Sequence, residues 1–205
     1  MNSKFYIKSF ARIKDGRISL NGETLFSDES PEFKDFIKKA YKFFETKYPK
    51  FFKMDNLSKL AFLTADILLK QENLNEEEND IALVFSNRAS SLDTDRKHQE
   101  SIENEEEYYP SPAVFVYTLP NICLGEISIK HKLYSENSFF IFAQFHPEYL
   151  FEYADFLLQT GKAEKVLCGW VDFDEEDYES FLYLIEPEGK IEHSTKNITE
   201  LYTTL

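Results

Sequence analysis

The chain has 205 residues, enough for one sizeable core or at most two small ones. Hydrophobic residues make up 42% and aromatics 16%, which excludes a disordered chain. A formal net charge of -14 with a pI near 4.8 argues against nucleic acid or an anionic membrane as partners held through a broad positive field. It argues equally against direct steering of an acidic protein, unless a local basic patch or a basic subunit supplies the attraction.

Cys123 and Cys168 stand alone, without CxxC or Cys/His spacing, so neither a disulfide framework nor a metal site is expected, and both read as buried free thiols. The N-terminus lacks a long apolar stretch, and no run approaches the ~20 residues that span a bilayer. A cytoplasmic protein without membrane segments is the expectation. With six glycines and no P-loop, GxGxxG or GxSxG pattern, no cofactor is expected.

In chain order, Lys4 to Ile13 alternates apolar and polar β-formers, and Asp15-Gly16 turns it into Arg17 to Leu20, an opening hairpin with Asn21-Gly22 as a second turn signal. Ser30-Pro31-Glu32 opens a helix to about Lys47 whose Phe33, Phe36, Ile37, Ala40, Tyr41, Phe44 stripe reads as core. Pro49 breaks it. Asp55 or Asn56 caps a helix to about Lys70, with Leu57, Leu60, Ala61, Thr64, Ile67 and Leu68 on the face expected to meet a sheet.

Glu76 to Asp80 reads as a solvated connection, and Ile81 to Ser86 as a strand buried on both faces. Residues 86–109 are irregular, with room for one short helix. Pro120-Asn121 opens a helix to about Lys132, Ser138 to Ala143 is a continuous apolar strand, and Pro147 starts a helix to about Thr160, ended by Gly161. Val166 to Val171 and Ser180 to Ile185 are the last two strands, and the tail at about 190–205 is a docked helix or a frayed end. Setting aside the early helix, the order is β-α-β-α-β-α-β-β, an α/β chain in one domain (1–205) with a parallel-rich sheet and helices on both faces.

Ser111-Pro112, Phe115, Thr118, Pro120-Asn121, Gly125 and Ile127-Ser128-Ile129-Lys130, with the spacing from Ser135 to Gln144, resemble the N-terminal half of a β-ketoacyl synthase. Ketosynthases write this run as SP, F, T, PN, G and ISIR, followed by a turn, a strand and Ala-Cys at the head of a buried helix. The resemblance covers about Met54 to Asp172, and Lys165 to Asp172 is similar to the strand after that helix. It implies half of a thiolase-like fold, an order that the periodicity gives independently.

Laid on that pattern, Gln144 falls on the nucleophilic Cys, and Phe145-His146-Pro147 replaces the small residues that follow it, so the elbow is expected to be remodelled. The second half, with its HGT-type and NxGH-type histidines, has no counterpart. A Gln in this position resembles chain-length factors, the non-condensing partners of ketosynthases in type II polyketide and aryl-polyene systems. The resemblance implies no catalytic residue, a heterodimer with a ketosynthase through Phe139, Phe140, Ile141 and Phe142, and indirect contact with acyl carrier protein. It also implies that Tyr108, Tyr109, Phe115 and Tyr117 border an acyl tunnel, although the same bulk suits a core.

A half-fold also retains apolar surface, unless the Phe-rich early helix or the C-terminal tail covers it. Two other readings stay open: a homodimeric acyl- or aryl-ligand-binding protein, and an unrelated enzyme using His146 with nearby acids. Asp172, Asp174, Glu175, Glu176 and Asp177 lack calcium-loop spacing and read as a charged turn.

Overall fold

A computed structural model describes residues 4–30, 32–104, 106 and 108–204. The chain opens with β1 (Tyr6–Lys14), β2 (Arg17–Leu20) and β3 (Glu23–Ser27), then α1 (Phe33–Phe43), a 3-10 turn (Pro49–Lys53) and α2 (Asn56–Leu69). Next come β4 (Ile81–Asn87), α3 (Leu92–Glu100), α4 (Pro112–Val116), α5 (Ile122–His131), β5 (Asn137–Ile141) and α6 (Pro147–Gln159). β6 (Lys165–Asp174), β7 (Asp177–Glu186), β8 (Ile191–Glu192) and α7 (Thr195–Thr204) complete it.

The sheet order is β3-β2-β1-β7-β6-β4-β5, with β8 added beside β1. β4 pairs in parallel with β5 and β6, while β7 lies antiparallel to both β6 and β1. Within the five-strand body β1, β4, β5 and β6 therefore run one way and β7 alone runs against them. This is the mixed half-thiolase arrangement that the resemblance implies, although only two strand pairs are parallel.

Strict alternation divides the central strands between two cores. Ala82 and Val84, Val166 and Cys168, and Phe181, Tyr183 and Ile185 face α6 and α7. Ile81, Leu83 and Phe85, Leu167 and Val171, and Leu182 and Leu184 face α1, α2 and α5. Gly169 sits where this sheet is tightest. Its φ is +152, and a Cβ there would stand 2.0 Å from the Phe181 carbonyl oxygen, so only glycine fits.

Several elements depart from the sequence reading. Asn21-Gly22 begins a third strand, because both residues take positive φ as a tight hairpin turn needs. α1 stops at Phe43, where Glu45 turns the chain at φ +49, and its first amide, Phe33 N, donates to Glu176 Oε2 at 2.9 Å. The expected proline at that helix start, Pro31, lies outside the described residues, as do Glu105 and Glu107 of the acidic run.

α2 is buried nearly all round rather than on one face, since α1 and α5 cover the side turned away from the sheet. Its Asp55 cap, however, is as read, accepting from Ser58 N at 2.9 Å. β5 ends at Ile141, not Ala143, and is only half-buried because it is an edge strand, with β4 on one side and, among the described residues, no strand on the other. The tail is a docked helix: Ile198 is fully buried, and Leu201 and Tyr202 pack on the α6 side of the sheet.

Candidate functional site

The carboxyl ends of β4, β5 and β6 converge on one side of the sheet, where crossover loops leave a crevice. Gln144 lies there, exposed in the bend between β5 and α6. It shares a cleft of about 230 Å³ with Arg88, Trp170, Asp172, Lys14 and Tyr202. α6 begins only at Pro147, so Gln144 is held away from the helix N-terminus where a nucleophile would gain from the dipole. His146 takes the N-cap position, its Nδ1 accepting from Tyr149 N at 3.3 Å. The imidazole that sequence singles out as a possible base is thus a helix cap, with Glu148 at 3.4 Å.

Asp172 orders one wall of the cleft. Its Oδ1 accepts from Arg88 N at 3.1 Å and Ala89 N at 2.9 Å, and its Oδ2 stands 3.4 Å from the Arg88 guanidinium. The other wall comes from the tail. Tyr202 packs against Phe145 in a tilted pair with ring centroids 4.4 Å apart, and its hydroxyl donates to Glu179 at 2.9 Å. Arg12 pairs with Glu179, donates to the Tyr202 carbonyl at 3.0 Å and lies over the Tyr202 ring. Burial first, and Glu179 second, push the Tyr202 phenol above its ordinary range.

No cysteine lines this cleft. Cys123 and Cys168 are fully buried in the two cores, and burial pushes the Cys168 thiol up to about 12 and Cys123 higher still. Condensation of the kind the resemblance implies needs a thiolate to carry the acyl chain, and its decarboxylation needs donors for the enolate. The cleft offers an amide, a guanidinium, an ammonium, two phenols and the carboxylates of Asp172, Asp177 and Glu179, but no thiol. Among the described residues no group of three or more His, Cys, Asp or Glu could hold a metal ion. The acidic hairpin is spent on structure, with Asp174 pairing to Arg96 and Glu176 capping α1.

The other residues singled out from sequence lie elsewhere. Tyr117 is buried, its hydroxyl donating to Glu126 at 3.1 Å; burial and that carboxylate push the phenol up. Glu126 also accepts from Tyr48 at 2.9 Å and pairs with Lys50 at 2.7 Å, while burial and Glu126 push Tyr48 up to about 12. Phe115 is exposed beside His98, with ring centroids 5.4 Å apart, and Tyr108 and Tyr109 are exposed on the irregular segment.

Phe139 and Phe140 are half-buried on β5. Ile141 is exposed at its end, and Phe142 continues past the strand, its amide donating to the Asn87 carbonyl at 2.9 Å. Phe140 and Phe142 meet Tyr149 of α6 at 4.9 and 5.1 Å, an aromatic strip along the open edge. Sequence reading passed over Arg88, Trp170 and Tyr202; the one usable signal was that Trp170 is the only tryptophan, in a strand the motif register places beside Gln144.

No family model matches the chain, and no curated protein matches its sequence. Solved structures do match. The ishigamide ketosynthase/chain length factor superposes with a TM-score of 0.66 at 15% identity, over 89% of this chain and 62% of that one. A structure of a type II polyketide synthase acyl-carrier protein in complex with its ketosynthase gives 0.66 at 12% identity, over 91% and 63%. A ketosynthase in complex with its chain length factor, from Xenorhabdus doucetiae, gives 0.60 at 13% identity, over 91% and 80%. At these identities the likeness establishes a ketosynthase-type fold. The chain spans less than two thirds of the first two structures it matches.

Proposed function

We propose that this chain is a non-condensing ketosynthase-like subunit that pairs with an active ketosynthase and helps shape the path of the growing acyl or polyene chain. The observation that carries this reading is a ketosynthase-type half-fold in which Gln144 stands at the nucleophile's place in sequence and no thiol lines the cleft. A second support is the open edge. β5 pairs only with β4, so its outer amides and carbonyls offer a ladder to a partner strand, with Ile141, Phe142 and Tyr149 as apolar anchors beside it. The structures it resembles include a ketosynthase with its chain length factor, and one with its carrier protein, which fits such a partnership. Tyr117 and Phe115 are the candidates for contact with the chain path.

The test is co-expression with ketosynthases from the same organism, followed by size-exclusion chromatography and measurement of carrier-bound product length. The expected result is a heterodimer that Ile141→Asp disrupts, with product length shifted by Phe115→Ala. A homodimer that ignores every ketosynthase and copurifies with an acyl or aryl ligand would replace this reading with the ligand-binding one.

A further inference from the structure

The net charge of -14 is an average that one face of the molecule contradicts. Residues 33–53, which form α1 and the 3-10 turn after it, carry seven lysines against two carboxylates, Asp35 and Glu45. All seven are exposed. Lys39 and Lys50 are paired, with Asp28 and Glu126. Among the described residues Lys34, Lys38, Lys42, Lys47 and Lys53 have no carboxylate within ion-pair distance, and the first three recur every four residues as one stripe along α1.

Large apolar side chains interrupt this basic face. Phe52 is 52% exposed and rests on Tyr41, with ring centroids 4.8 Å apart; Tyr41 follows Lys38 by three residues and so borders the stripe. Phe43 is 56% exposed at the end of α1. Beyond the turn, Lys59 shares a cleft with Lys53, Asp55 and Lys97, the last paired with Asp93 at 2.6 Å. Burial and then the charges of Lys97 and Lys34 hold the Lys59 ammonium below its ordinary range, against the opposing pull of Asp55.

From these placements we infer that the α1 face docks on an anionic phospholipid surface, with Phe52 and Phe43 entering the headgroup boundary and the lysine stripe meeting the phosphates. Exposed aromatics among lysines on a helical face are the chemistry of peripheral lipid binding. Protein interfaces are depleted in lysine, and a planar carboxylate partner favours arginine, of which residues 33–53 contain none. The net acidic charge of the whole molecule favours an encounter through this lysine-rich face. Among the described residues no helix is long and apolar enough to cross a membrane, and the contact proposed is a peripheral one. Phe43 meets Phe26 of β3, at the opposite edge of the sheet from β5, so lipid docking leaves the proposed partner edge open.

The experiment is sedimentation of the full chain with vesicles of phosphatidylcholine, with and without phosphatidylglycerol, at low and high salt. The expected result is pelleting only with the anionic lipid, lost at high salt. Near such a surface each lysine contributes about fivefold in affinity, so Lys38→Glu with Lys42→Glu weakens binding by at least about tenfold. Phe52→Ser weakens it without changing its salt dependence, and Lys196→Glu on α7 leaves it unchanged. Thermal melts establish that the variants fold, with Lys47→Glu and Lys53→Glu as a second charge-reversed pair. Equal pelleting with neutral vesicles, no pelleting at low salt, or native binding by both charge-reversed pairs overturns the inference. Capture of an acidic acyl carrier protein without vesicle binding overturns it too. Heterodimer formation through β5 is read separately, so failure of one proposal is not failure of the other.

Discussion

Replacing Tyr202 with alanine tests whether α7 serves as a cover for the α6 side of the sheet. The ring is half-buried, against Phe145 at 4.4 Å and Phe181 at 5.7 Å, and its hydroxyl donates to Glu179. Full burial of an aromatic makes truncation cost ~3–5 kcal/mol, so half-burial sets the packing loss at about 2 kcal/mol. The hydrogen bond to a carboxylate adds about 1 kcal/mol, discounted for its partial exposure. A total near 3 kcal/mol, with a urea dependence of about 2 kcal/mol per molar, lowers the unfolding midpoint by about 1.5 M. Tyr202→Phe removes only the hydroxyl and lowers it by about 0.5 M on the same scale. The native state carries its own reporter, since Trp170 is the only tryptophan, is 5% exposed and lines the same cleft. Its emission shifts to the red when Tyr202 is lost. A Tyr202→Ala protein with the native midpoint and unshifted emission would refute the covering role.

Three further outcomes are expected. Gly169→Ala drives a Cβ into the Phe181 carbonyl at a φ that alanine rarely adopts, and costs upward of about 3 kcal/mol, read as loss of soluble protein or a much lower melting temperature. Gln144→Cys gives one thiol that reacts with a disulfide reagent under native conditions, whereas the parent reacts only when unfolded, because Cys123 and Cys168 are buried. Asp66 is fully buried; burial opposes its charge, but His131 at 3.2 Å, Lys70 at 2.7 Å and Thr46 at 2.7 Å outweigh it and hold the carboxyl below its ordinary value. A depressed carboxylate contributes stability above the unfolded value near ~3.9 and loses it as pH falls through the folded one. Urea midpoints should therefore drop below about pH 4, and Asp66→Asn should flatten that part of the profile.

The order of the body was legible because its signals are local. Ile81 to Ser86 had to be a two-sided strand, and Pro147 and Gly161 bracket α6 as start and stop. What sequence missed depends on partners distant in the chain. β3 reads as loop because only Phe26 turns inward, and its pairing is supplied by β2. α2 looked amphipathic because nothing local says that α1 and α5 close over its outer side. The roles of the acidic hairpin, capping α1 through Glu176 and bracing the loop after β4 through Asp172, span 143 and 83 residues of sequence.

The site divides the same way. The register that puts Gln144 in the nucleophile's place is a property of spacing, and the structure keeps it at the carboxyl ends of the parallel strands. The consequence of Phe145-His146-Pro147 is three-dimensional. Phe145 turns inward to meet Tyr202, Trp170 and Phe181, His146 spends its Nδ1 on the helix start, and α6 begins three residues late. A ring that anchors the tail therefore stands beside the position that would otherwise present a nucleophile to a helix dipole. Phe145 both shapes this elbow and anchors the tail that covers the α6 side of the sheet. β3 and β5 are the two edge strands among the described residues, and the aromatic strip beside β5 is why the partner is sought there.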